Sequence, residues 1–311
     1  MKGGRLPPGN TFKSAELNVS WNRFTKSLSV AVEDYLTAKR LELSHNISTW
    51  QQWMFHLPLR SLLIASLPFL TYLLFFANYT VLRHYSGLDS IIAPNVHILP
   101  KLEQMLCFGY LPHRVLSSFA HPLFDVLAAI PYLIHFPLPF LYFFWLCMRR
   151  QHLVLQYTWL AGWLNLTAVI IQFVFPTAPP WFADSAVFDN SNRLISSLPN
   201  EAAFQRTDAI LGIDIFHGIY SKSPVKFGAF PSLHVAWPAL IAAFEPPFGF
   251  SLAALHVVWI TLAALYSTHH YLVDALGGVC LVLLLKYCVR ITNPFVFSTR
   301  TIHRWTVAER I

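Results

Sequence analysis

What most constrains this chain is a set of long apolar segments. Six runs, at residues 59–82, 124–148, 153–175, 233–244, 248–266 and 271–289, carry very few charged side chains. A helix needs about 20 apolar residues to cross the hydrocarbon core of a bilayer. Charged residues make up only 12% of the sequence and hydrophobic ones 55%, whereas soluble domains carry roughly 25% charge. The expected fold is therefore all-α, an integral membrane bundle of six transmembrane helices. The fourth run is the shortest, and it spans only if Pro246–Pro247 continues it as a bend.

Three regions follow. Residues 1–58 are polar, 59–290 form the membrane domain, and 291–311 form a basic tail read as cytoplasmic. Within the first region, residues 28–44 (LSVAVEDYLTAKRLELS) place apolar side chains at helical spacing. That pattern suits a helix lying on the membrane surface or one packed on the bundle. Residues 1–17 lack an apolar core after their basic residues, so no signal peptide is expected there. The four cysteines form no C-x-x-C pair, so neither a disulfide framework nor a metal site is expected, and no cofactor is implied. The net charge of +7 fits basic flanks facing cytoplasm and anionic lipid rather than nucleic acid.

Counting crossings brings distant stretches together. If the amino terminus lies on side one, the third segment ends on side two and the fourth begins there. The fifth ends on side two and the sixth begins there. FPTAPPWF (175–182), FGAFPSLH (227–234) and STHHYLVD (267–274) then share one membrane face. Basic residues close to segment ends, including Arg60, Arg149, Arg150, Lys286 and Arg290, gather on side one. The positive-inside tendency places that side in the cytoplasm, so the three stretches face a lumen or the exterior.

These stretches carry chemistry. At i and i+4 of a helix, His270 and Asp274 share a face. A carboxylate that accepts from one ring nitrogen makes the other a better nucleophile or base. Taken alone, the pair is equally compatible with a structural tie between helices, although ionisable groups at membrane depth are costly and count as functional candidates by default. His234 follows Pro231-Ser232-Leu233 and precedes an apolar run. Ser232 is a suitable N-cap, which puts His234 in a first helical turn, where backbone N–H groups favour an anion. Gly228 and Ala229 let the backbone approach a ligand. An ordinary capped helix with an interfacial histidine is the plain alternative. Together the two elements suit phosphoryl transfer. His270 attacks phosphorus, Asp274 supports it, and His234 exchanges protons with the leaving and entering hydroxyls. No metal is needed if N–H groups and cations hold the phosphate oxygens.

FPSLH followed by H-x-x-x-D resembles the second and third motifs of the type 2 phosphatidic acid phosphatase superfamily, over roughly residues 120–290. GAFPSLH, THHYLVD, PTAPPW and AAIPYLIHF resemble most the inositol phosphorylceramide synthase branch. The resemblance implies six membrane helices, a phosphohistidine, and passage of phosphoinositol from phosphatidylinositol to ceramide or a related lipid alcohol. It implies phospholipid and sphingolipid substrates, and for fungal members a small membrane regulatory subunit. It also implies a Golgi or ER membrane with a lumenal site, or a plasma membrane in a bacterium. Two alternatives stay open: a lipid phosphate phosphatase using water, and a non-enzymatic transporter or haem protein using membrane histidines.

The pattern departs from the superfamily in its cations. Ala264 occupies the arginine position of the third motif, Leu233 replaces the glycine of the second, and PTAPPWF brings no positive charge where the first would fall. Lys226 and Lys222 are the nearest replacements in sequence, with Arg206, Arg114 and Lys101 also possible. Each lysine has the alternative of a solvated loop charge. Asp125 and His135, in the second apolar run, suit either an inositol-binding pair or a structural one. On a helix His269 points about 100° away from His270, and Trp181 reads as an interfacial anchor.

Overall fold

A computed structural model of the chain describes residues 26, 30, 32–41, 59–87, 94–184, 201–244 and 246–292, side chains 290–292 excepted. The chain divides into two units, Met1–Leu57 and Pro58–Ile311. In the first, residues 32–41 form helix α1 with exposed side chains, inside the expected 28–44 helix. The readings of residues 1–17 and of the tail beyond 292 fall outside the described residues.

The described residues of the second unit are helical, without strands. In chain order they are α2 (Leu59–Ala77), α3 (Tyr79–Tyr85), α4 (Ile98–Leu106), α5 (Pro112–Ser117), α6 (Pro122–His135), α7 (Leu138–Arg149), α8 (Val154–Val174), α9 (Pro180–Ala183), α10 (Phe204–Leu211), α11 (Ile215–Tyr220), α12 (Leu233–Ala243), α13 (Phe250–Tyr266) and α14 (Leu272–Thr292). The two long connections thus contain short helices: α4 and α5 in one, α9 to α11 in the other.

Three helical stretches, Arg60–Ala77, Gln151–Val174 and Leu272–Val289, are long and apolar enough to cross a bilayer. The pair α6 and α7 makes a fourth if counted as one span bent by 51°. The bend falls at Phe136-Pro137-Leu138-Pro139, where proline removes helical N–H donors and crowds the preceding turn. Helices α12 and α13 hold 11 and 17 residues, about 16 and 26 Å at 1.5 Å per residue, against roughly 30 Å of hydrocarbon. Outward leucines such as Leu74 (70% exposed) and Leu255 (62%) make a surface matched to lipid tails rather than water.

Close helix contacts rest on small residues. In α8, Gly162 lies against the backbone of α2, where an added Cβ would sit 2.6 Å from the Phe69 nitrogen. In α14, Gly277 and Gly278 face Phe230 and the Ser232 carbonyl, leaving no space for a methyl group at either position. The start of α12 can therefore lie directly on α14. At its far end, Lys286 Nζ donates to the Ala243 carbonyl. The core around the site packs Ala128, Ala129, Tyr132, Phe204, Val235, Ile260, Ala263, Ala264 and Ala275 together.

Candidate active site

The turn between α13 and α14 builds the first half of the site. The Ala264 carbonyl accepts from the backbone N–H groups of His269 (3.0 Å) and His270 (3.3 Å). Thr268 bends the chain with φ of 58°, left-handed backbone that costs a non-glycine residue about 1–2 kcal/mol. Helix α14 begins at Leu272, so His270 precedes the helix and does not share a helical face with Asp274, as the i, i+4 spacing suggested. Capping joins them instead. Asp274 Oδ2 accepts from Tyr271 N–H at 2.8 Å and lies 3.4 Å from His270 Nδ1. Asp274 is fully buried. A second buried carboxylate, Glu103, accepts from Leu272 N–H at 2.7 Å, so two acids occupy the positive end of α14.

The second half comes from residues 227–234. Asn95 bridges Thr177, and Thr177 bridges Gly228, both in parallel. Phe230 N–H donates to Thr177 Oγ1 at 2.9 Å, and Gln172 Nε2 donates to the carbonyls of Gly228 and Pro231. Trp181 N–H donates to the Thr268 carbonyl at 3.1 Å, and Ser232 N–H to the Asp274 carbonyl at 3.0 Å. PTAPPW, GAFPSLH and STHHYLVD are thus tied by backbone hydrogen bonds. Gly228 is required by close approach, since a Cβ there would fall 2.6 Å from Val225 Cγ1. Ser232 takes the N-cap position of α12, but its hydroxyl makes no capping bond. That hydroxyl is buried without a hydrogen-bond partner. The capping role expected of its side chain is absent, and its backbone N–H docks on α14 through the Asp274 carbonyl.

His234 closes the constellation. Its Nδ1 lies 3.1 Å from His270 Nε2, and its Nε2 lies 3.4 Å from the Tyr220 hydroxyl. Tyr132 stacks on the ring at 4.5 Å and His135 packs at 4.7 Å. The network assigns the protons. His270 donates Nδ1–H to Asp274, leaving the lone pair on Nε2, the atom that faces His234. A cavity of about 170 Å³ opens beside them, walled by His269, Tyr220, Lys226, Trp181 and the backbone at Gly228 and Ala229.

Other expectations sort clearly. Lys226 lines the cavity while Lys222 is an exposed residue away from its wall. Arg206 pairs with Asp125 (2.8 Å) and Arg114 with Asp184 (2.6 Å). Ala264 is 1% exposed within the aromatic core, which leaves no space for an arginine there. Asp125 and His135 are not a pair. They sit at opposite ends of α6, Asp125 bonding Arg206 and the Tyr266 hydroxyl while His135 lies under His234. His269 lies against Phe204 and Tyr220 and bonds Ser267. Burial lowers its pKa to about 3, so it is neutral at physiological pH. Trp181, read as an anchor, stands on the cavity wall. Sequence reasoning missed Tyr220, Gln172, Asn95 and Glu103. Each acts through a contact more than ten residues away in sequence, which periodicity does not encode.

The chain is 36% identical over 68% of its length to the inositol phosphorylceramide synthase catalytic subunit aur1 of Schizosaccharomyces pombe, covering 50% of that protein. It is 33% identical over 61% of its length to the inositol phosphorylceramide synthase of Candida albicans, covering 41% of it. With the phosphoinositol dihydroceramide synthase of Bacteroides thetaiotaomicron it shares 32% identity over 73% of this chain and 76% of the relative. The chain thus spans about half the length of the fungal relatives and three quarters of the bacterial one. No solved structure matches it. A family model described as the PAP2 superfamily matches residues 97–288, which include both histidines, the aspartate and the loops that join them; the chain belongs to the PAP2 superfamily.

Proposed function

We propose that the chain transfers phosphoinositol from phosphatidylinositol to ceramide or a related lipid alcohol through a phosphohistidine at His270. The observation that carries this reading is the Asp274–His270–His234 chain of contacts at the wall of a cavity holding one lysine. The relatives' names, which specify inositol phosphorylceramide or phosphoinositol dihydroceramide, support the substrate class.

In the first half-reaction, His270 Nε2 attacks phosphorus and the bond from phosphorus to the glycerol oxygen breaks. That oxygen takes the proton from His234 Nδ1, and diacylglycerol leaves. In the second, His234 Nδ1 takes the proton of the ceramide primary hydroxyl, whose oxygen attacks phosphorus. The P–N bond then breaks and His270 is restored. Asp274 holds the developing imidazolium. Lys226 and the N–H groups at the start of α12 stabilise the phosphate oxygens. In the described state His234 Nδ1 and His270 Nε2 contact each other, so this contact must open to admit the phosphate.

Residues 59–290 form the catalytic domain, with a polar region before it and a basic tail after it. Helices α12 and α13 complete a six-segment bundle whose site faces a lumen or the exterior, in keeping with the basic residues at the opposite segment ends. A small membrane regulatory subunit fits the words "catalytic subunit" in the S. pombe relative's name. The test is a product assay with phosphatidylinositol labelled in its inositol, with and without ceramide. Labelled phosphoinositol lipid that appears only with ceramide supports the reading. Release of water-soluble inositol phosphate alone defeats it.

A further inference from the structure

The two histidines are held differently at their outer nitrogens. His270 has a carboxylate, Asp274, at Nδ1, whereas His234 has a phenol, Tyr220, at Nε2. We propose that Tyr220 is the positioning residue for His234, its hydroxyl oxygen accepting from Nε2–H so that the mobile proton lies on Nδ1. The inference rests on the reading of His234 as the acid–base group and assigns it a partner.

Three observations carry it. First, the ring is held by four neighbours. Tyr132 stacks on one part of it at 4.5 Å with planes 30° apart, His135 packs at 4.7 Å, and the two ring nitrogens meet His270 and Tyr220. Second, the proton count requires a proton on Nε2. If Nε2 were bare, a neutral ring would have to give up its last proton to act as an acid, and imidazole is far too weak an acid for that. With Nε2–H held, His234 cycles between imidazolium and the Nδ1-bare base, which are the two forms the half-reactions use. Third, Tyr220 has a built support. Asp208 accepts from the N–H groups of Phe216 (3.1 Å) and His217 (2.9 Å) at the start of α11, and Phe216 stacks on Phe204 at 4.3 Å. The Tyr220 ring then rests on His269 at 4.6 Å.

The choice of phenol over carboxylate matches the roles. A carboxylate at Nε2 would stabilise the imidazolium and raise the cost of releasing the Nδ1 proton, which His234 gives up in the first half-reaction and takes back in the second. A neutral hydroxyl that accepts from Nε2–H favours that tautomer with less effect on acidity. Burial raises the phenol's own pKa, so Tyr220 stays neutral over the working range. At His270 the demand is the opposite, because that ring becomes a cation when phosphorylated.

The experiment measures transfer from phosphatidylinositol to ceramide by the full chain in detergent micelles, as kcat, KM and the pH profile of kcat. Tyr220→Phe should lower kcat about 10- to 100-fold, the range of one hydrogen bond to a charged group, with KM nearly unchanged. The alkaline limb should move to lower pH by about one unit, since a weakened imidazolium loses its proton earlier. A rate within twofold of the parent overturns the proposal. So does a slower enzyme with an unmoved alkaline limb, which is the signature of packing alone. Should Tyr220→Phe fail to fold by thermal melting, fluorotyrosines placed at 220 keep the shape while making the phenol oxygen a poorer acceptor. The alkaline limb should then fall in step with fluorination, and an unmoved limb overturns the proposal. His234→Ala and His270→Ala run alongside. Full activity in either removes the underlying reading, whereas inactivity there with an unmoved Tyr220→Phe profile removes only the role of Tyr220.

Discussion

Asp274→Asn isolates the charge of the buried carboxylate from its shape. In the parent, Oδ2 accepts from Tyr271 N–H at 2.8 Å and faces His270 Nδ1 at 3.4 Å. Both partners are donors, so an asparagine places its carbonyl oxygen at Oδ2 and keeps both hydrogen bonds. The negative charge that would face the His270 cation is lost. At 3.4 Å and an effective dielectric of about 20, two unit charges interact by about 5 kcal/mol. If that attraction is fully expressed in the transition state, kcat falls roughly 10³- to 10⁴-fold. Stability should move little or rise, because Asp274 is fully buried and its Oδ1 has no hydrogen-bond partner, and burying such a charge is costly. The assay pairs single-turnover transfer from labelled phosphatidylinositol with thermal melting in the same detergent. A variant that melts like the parent and transfers within tenfold of its rate would refute the argument.

Gly278→Ala should lower stability by about 1–3 kcal/mol and reduce activity, because the methyl group meets the Ser232 carbonyl, which is backbone and cannot step aside. Melting should show no such loss for Gly218→Ala, whose added methyl meets nothing within 4 Å. Lys226→Ala should raise KM for phosphatidylinositol about tenfold with a smaller change in kcat, and Lys226→Arg should restore most of it; equal KM values would remove Lys226 from the phosphate site. His269 is held neutral by burial, with a pKa of about 3 against about 6.5 in the unfolded chain. Between those values only the unfolded state takes up the proton, so stability is complete above about pH 6.5 and falls with acid by up to about 1.4 kcal/mol per unit. His269→Gln should flatten that slope in melts taken from pH 7 to 5, and an unchanged slope would contradict the assignment.

Much of the site was legible because its parts obey short-range rules. Apolar runs located the helices, crossing parity brought PTAPPW, GAFPSLH and STHHYLVD together, and the identity of the residues singled out His234, His270 and Asp274. The details that failed depend on where helices begin. His270 reaches Asp274 through a capping contact because α14 starts at Leu272, a boundary that residue spacing alone does not locate. Ser232 reads as a side-chain cap, yet the close packing permitted by Gly278 turns its backbone to Asp274 instead. Arg206 and Arg114 are cations on the correct face, but Asp125 and Asp184 engage them. Length supports three or four of the six expected spans, since α12 and α13 are apolar but hold only 11 and 17 residues. Tyr220 and Glu103 meet partners 14 and 169 residues away, contacts that local spacing does not encode.

The most direct test of the account is to look for the covalent intermediate. The protein is mixed with phosphatidylinositol labelled in its inositol, without ceramide, and quenched in alkali, where a phosphorus–nitrogen bond on histidine survives. Label is expected on a peptide containing His270, with its loss in acid, its discharge into lipid when ceramide is added before the quench, and none of this in His270→Ala. Formation of labelled phosphoinositol lipid at the parent rate by His270→Ala, with no protein-bound label in the parent, would contradict it.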